Sequence, residues 1–101
     1  MCSIVNICGQ NYLKNAYNNL EVITMTEEFL NPIAVGEAIA HCRKSKKISQ
    51  EVLSGLADIG RTHLSAIECG ARKPTLETLY RISIALNMNM SDIVKEIEKR
   101  L

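Results

Sequence analysis

Tryptophan is absent, phenylalanine occurs once and tyrosine three times, so the core cannot rest on stacked rings and must be filled by aliphatic side chains. With two prolines and five glycines in 101 residues, proline-rich spacers and glycine-rich low-complexity segments are excluded. No apolar run approaches the ~20 residues that cross a bilayer, and the chain does not begin with the basic start and apolar block of a signal peptide. The four cysteines, Cys2, Cys8, Cys42 and Cys69, are widely spaced without a Cys-x-x-Cys pair. That spacing points to reduced thiols and a cytoplasmic protein. His41-Cys42 and His63 with Cys69 do not have the spacing of a zinc site, and Cys42 falls on an apolar helix face, so neither metal nor cofactor is expected. There is no Ser-His-Asp spacing, no glycine-rich phosphate loop and no pair of carboxylates in an apolar setting, and an enzyme is not expected.

What is present is 47% hydrophobic residues and 23% charged ones, the balance of one small globule. Net charge is only +1, but it is unevenly spread. From His41 to Lys73 the chain carries Arg43, Lys44, Lys46, Lys47, Arg61, Arg72 and Lys73 against Glu51, Asp58 and Glu68, while residues 1 to 40 are net acidic. A basic stretch is ordinarily a solvated face; here it coincides with a structural motif, and a phosphate-facing side is expected instead.

That motif occupies Ser49 to Thr75. Ser49 can cap a helix through its hydroxyl, with Glu51 complementing the positive helix end. Val52, Leu53, Leu56 and Ala57 recur at helical spacing, Asp58-Ile59-Gly60 interrupts, and Leu64 and Ile67 resume the pattern. Two short helices sharing an apolar seam follow. Arg61, Thr62, His63, Ser65 and Ala66 then form a polar front of the size that enters a major groove.

The flanks complete an all-α reading. Residues 1–24 show no sustained period and are expected to be a poorly ordered arm. Leu20-Glu21-Val22 can be encoded by a GGAGGT-containing stretch, a bacterial ribosome-binding signal a few codons before Met25, so translation from Met25 is a further expectation; the domain then comprises residues 25–101. Asn31-Pro32 predicts a helix start, with Ile33, Val35, Ala38, Ile39 and Cys42 on or beside one face, over roughly residues 32–45. Ile48 plugs the next junction. Pro74 ends the motif, Thr75 caps a fourth helix read as mainly core through Leu76, Leu79, Ile82, Ile84, Ala85 and Leu86, and Asn87 to Met90 makes a turn. Ser91-Asp92 opens a last helix whose stripe, Ile93, Val94, Ile97 and Leu101, serves either its own core or a second subunit.

Ser49-Gln50-Glu51, Ile67-Glu68, Gly70 and Arg72-Lys73-Pro74-Thr75, in register and without a gap, resemble the helix-turn-helix of the phage repressor and Cro (XRE-type) family. The similarity runs from about Pro32 to about Val94. It implies a five-helix lambda-repressor-like domain and a DNA-binding transcriptional regulator acting as a homodimer on an operator, with Ile93, Val94, Ile97 and Leu101 at the subunit seam. By the same resemblance Arg61 and Thr62 stand where relatives read bases, Thr62 serving either base or backbone; His63 and Ala66 also face outward and are expected on bases, His63 alternatively on a phosphate. An arginine at position 61 reaches O6 and N7 of guanine, or alternatively a phosphate, and Ala66 either touches a thymine methyl or gives clearance. Ser65 and Gln50 are expected on phosphates, as are Lys44, Lys46, Arg72 and Lys73 on the flanking backbone. Arg43 and Glu68 match an internal salt bridge of the family. Lys47 stands where relatives often have a left-handed glycine, Asp58 replaces a turn glycine, and Cys69 replaces a polar residue.

A weaker resemblance, over Arg61 to Ser65 and Arg72 to Leu79, is to the small controllers of restriction-modification genes. The alternative function is a protein-interaction module of the same fold, an antitoxin or coactivator working through a protein partner.

Overall fold

The computed structural model describes residues 29–101; the arm expected over residues 1–24 lies outside them. The chain divides into two units, Met1–Leu30 and Asn31–Leu101, and the second consists of five helices. These are α1 (Pro32–Ser45), α2 (Gln50–Ala57), α3 (Arg61–Glu68), α4 (Leu76–Ala85) and α5 (Met90–Glu98).

Side-chain caps set most of the helix starts. Asn31 Oδ1 accepts from the Ile33 amide at 2.9 Å with Pro32 in the first helical position, Ser49 Oγ accepts from the Val52 amide at 3.1 Å, and Thr75 Oγ1 accepts from the Thr78 amide at 3.0 Å. Left-handed residues set the exits: Lys47 at φ 61°, Asp58 at φ 57° and Asn87 at φ 56°. Asp and Asn tolerate that geometry; Lys47 bears a β-carbon crowding that a glycine would not.

α1 packs on α5 and α3, α2 on α3 and α4, and α4 on α5. The enclosed core is aliphatic: Val35, Ile39 and Cys42 from α1, Leu53 and Ala57 from α2, Leu64 and Ile67 from α3, Leu79 and Ile82 from α4, and Ile93 and Ile97 from α5. Burying each Leu or Ile contributes roughly 1.5–3 kcal/mol, which is how a chain this short holds α3 in place.

Three expectations are corrected. Leu76 and Ile84 are not core: they are 73% and 61% exposed, while Thr78 and Ser83 are buried. Helical period explains this, because positions 78, 79, 82 and 83 share the covered face and 76, 80 and 84 form a stripe on the other side. Val52 and Leu56 are likewise exposed, one step round from buried Leu53 and Ala57. The last helix begins at Met90 rather than Ser91-Asp92, because Asp92 Oδ2 accepts from the Asn89 amide at 3.3 Å and pulls the start forward.

Candidate nucleic-acid interface

α3 is anchored from beneath and free in front. Leu64 and Ile67 are fully buried, Arg61 and Thr62 are exposed, and His63, Ser65 and Ala66 are partly buried. The turn before α3 is held from outside the motif, since Arg81 Nη1 of α4 donates to the Asp58 carbonyl at 3.2 Å while Arg81 Nε donates to Glu77 Oε2 at 3.2 Å.

The far end of α3 is fixed by a network around Glu68. Arg43 Nε donates to Glu68 Oε2 at 2.8 Å and Arg43 Nη2 to Glu68 Oε1 at 3.0 Å, a two-bond pair whose planar fork leaves little rotational freedom. Arg43 Nη1 also donates to the Ile48 carbonyl at 2.9 Å. Gln50, expected only on a phosphate, donates its side-chain N–H to Glu68 Oε1 at 2.8 Å. The fold thus brings Arg43, Gln50 and Glu68 together, tying the first turn of α2 to the last turn of α3.

Past α3 the chain folds back at Gly70, φ 84°, and the amides of Ala71 and Arg72 both donate to the Ala66 carbonyl, at 2.9 and 3.3 Å. This return holds the backbone of Arg72 against the end of α3, with the side chains of Arg72 and Lys73 exposed. Lys44 and Lys46, at the end of α1, are exposed too.

The residues expected at a subunit seam separate. Ile93 and Ile97 are 0% and 6% exposed, covered by the chain's own core, whereas Val94 and Leu101 are exposed. A different apolar surface stands open across α2 and α4, where Leu56, Ala57, Tyr80 and Ile84 with Asp58 and Arg81 line a hollow of about 290 Å³.

Gly36 is a positioning residue that sequence reasoning missed. A β-carbon there would meet the backbone carbonyls of Ile67 and Glu68, so α1 touches the end of α3 directly. The available signal was a glycine inside an otherwise apolar helix pattern.

Among the described residues, no group of three His, Cys, Asp or Glu side chains could hold a metal ion, and no helix is long and apolar enough to cross a membrane. Cys42 is buried, and burial pushes its thiol pKa up; Cys69 is exposed.

A family model described as helix-turn-helix matches residues 39–93, more than half of the chain and the whole of the α2–α3 unit. The chain belongs to the helix-turn-helix family. This helix-turn-helix chain is 37% identical over 68 residues to control protein C.MunI of Mycoplasma sp, a match covering 66% of the chain and 92% of that relative. It is 36% identical over 64 residues to the immunity repressor protein of Bacillus phage phi105, covering 63% of the chain and 44% of the repressor. Among solved structures it is similar to a tyrosine-to-alanine mutant of the restriction-modification controller protein C.Esp1396I, with a TM-score of 0.64, 28% identity, and 71% and 92% of the two chains covered.

Proposed function

We propose that the protein is a sequence-specific DNA-binding transcriptional regulator that works as a homodimer on an operator, each α3 lying in a major groove with half-sites about one helical turn apart. The observation that carries this is the exposed front of α3, Arg61 and Thr62, on a helix fixed at both ends by its own subunit. Arg61, Thr62, His63 and Ala66 read base edges; Lys44, Lys46, Gln50, Ser65, Arg72 and Lys73 hold phosphates. Gln50 donates one side-chain N–H to Glu68, leaving the second, together with the amides of the first α2 turn, for a phosphate oxygen.

Two subunits meet through apolar surface that the monomer leaves open: Val94 and Leu101 near the C-terminus, and the stripe of α4 that includes Tyr80 and Ile84. The names of the similar proteins, control protein, immunity repressor and restriction-modification controller protein, support a role in gene control. The test is to enrich a duplex from a random-sequence pool and measure the mass of the complex. Two chains per duplex carrying a two-fold repeated half-site agree with the reading; failure of any sequence to enrich contradicts it.

A second reading, a protein-interaction module, is favoured by the open apolar face over α2 and α4, where Val52, Leu56, Tyr80 and Ile84 are all exposed. Proteins that work through a partner carry such patches. A protein that stays monomeric, ignores DNA sequence and captures a neighbouring gene product would select this reading.

A further inference from the structure

We infer that Gly36 sets the seating of the recognition helix and thereby the protein's discrimination between DNA sequences, an inference that rests on the DNA-reading function proposed above. Gly36 is buried in α1, where glycine is about 1 kcal/mol worse than alanine for helix formation. Something other than propensity requires it there.

A β-carbon at residue 36 would lie 2.6 Å from the Glu68 carbonyl oxygen, 2.8 Å from the Glu68 carbonyl carbon, and also against the Ile67 carbonyl oxygen. All three are backbone atoms of the last turn of α3, so none can rotate aside. The two helices meet backbone to backbone through the space a methyl group would take. The same joint is closed a turn earlier in α1, where a β-carbon on Gly70 would lie 2.8 Å from Ile33 Cγ1 and 3.1 Å from Ile33 Cα. Gly70, at φ 84°, is the residue that turns the chain out of α3.

Non-bonded carbon atoms rest about 3.5–4.0 Å apart, so an alanine at residue 36 drives α1 and the end of α3 apart by roughly 1 Å. Hydrogen bonds weaken outside a window of about 2.7–3.2 Å, and short side chains on a displaced helix cannot restore it. Thr62 has no length to spare for its hydrogen bond, nor Ala66 for a methyl contact. Long Lys and Arg side chains on phosphates follow the shift, so nonspecific affinity survives while sequence discrimination does not.

The test uses the full chain and two duplexes, one enriched by the wild type from a random pool and one scrambled, at a temperature where circular dichroism shows each variant folded. Gly36→Ala is expected to lose about tenfold or more of the preference for the enriched duplex, the discrimination carried by one good base contact, with its affinity and salt slope on the scrambled duplex unchanged. Gly55→Ala, whose β-carbon meets nothing within 4 Å, keeps the preference, as does Ile97→Val, a core truncation in α5, which packs on α1 and α4.

A Gly36→Ala protein that discriminates within twofold of wild type overturns the inference, as does an Ile97→Val protein that loses as much as Gly36→Ala. If Gly36→Ala does not fold, Ile33→Ala decides, because it thins the same joint without a clash: a several-fold loss of preference supports the inference and an unchanged preference overturns it. A wild type that enriches no sequence fails the DNA-reading function itself and overturns the inference with it.

Discussion

Arg43 and Glu68 are paired by two hydrogen bonds, 2.8 and 3.0 Å, with side chains only 10% and 6% exposed, joining the end of α1 to the end of α3. A pair so little exposed is expensive to break one-sidedly, because the survivor keeps its charge without its partner. Glu68→Ala is therefore expected to cost about 3–5 kcal/mol, read as a fall in the urea midpoint at constant slope. Replacing both residues together with Met and Leu is expected to cost less than Glu68→Ala alone. A loss below about 1 kcal/mol for Glu68→Ala would mean the pair behaves as an exposed one.

Among the described residues other than glycine, three are held in left-handed geometry, and Lys47 is the long-chained one beside Asp58 and Asn87. Lys47→Gly removes the β-carbon crowding at the cost of some unfolded-state entropy, and a net gain of about 0.5–1 kcal/mol is expected. Thermal melts of the two proteins read it directly; a destabilised Lys47→Gly contradicts the strain.

Glu96 accepts from Lys99 Nζ and Arg100 Nη1, both at 2.9 Å, and these bonds bring its pKa down to about 2, with His41 of α1 3.9 Å away adding a smaller push. Since folding lowers this pKa from 4.5, its contribution to stability is whole above that value and fades as the pH falls through about 2. Wild type is expected to melt above Glu96→Gln at neutral pH, with the gap closing between pH 4.5 and about 2. A gap that does not change over that range would contradict the assignment.

Cys42 and Cys69 differ in access: one is buried and its thiol pKa is raised by burial, the other is exposed. In a Cys2→Ser, Cys8→Ser background, a thiol reagent on the native protein is expected to modify one site quickly, Cys69, and a second only on unfolding. Mass spectrometry of the labelled peptides identifies the site.

Sequence carried the local decisions well and the pairwise ones less well. Asn31, Ser49 and Thr75 announce helix starts because a capping hydroxyl or amide acts within three residues of itself, and all three caps are formed. The division of α2 and α4 into covered and open faces was not legible, since Leu56 and Ile84 are as apolar as Leu53 and Ile82, and only the packing of neighbours tells them apart. Ile93 and Ile97 show the same limit, because an apolar stripe does not say which subunit covers it. The link of Gln50 to Glu68 spans 18 residues and leaves no residue-type pattern, and the contact of Gly36 with the end of α3 leaves only a glycine inside an apolar helix pattern.

Base reading by Arg61, at the exposed start of α3, with the surrounding cations on the backbone, is what the proposed function turns on. It is tested most directly by binding of wild type and Arg61→Ala to the enriched and scrambled duplexes across a salt series. Arg61→Ala is expected to lose roughly 1–3 kcal/mol of preference for the enriched duplex and to keep the wild-type salt slope on the scrambled one. Equal weakening on both duplexes, with the slope reduced by about one phosphate contact, would make Arg61 a backbone contact and contradict its reading of a base.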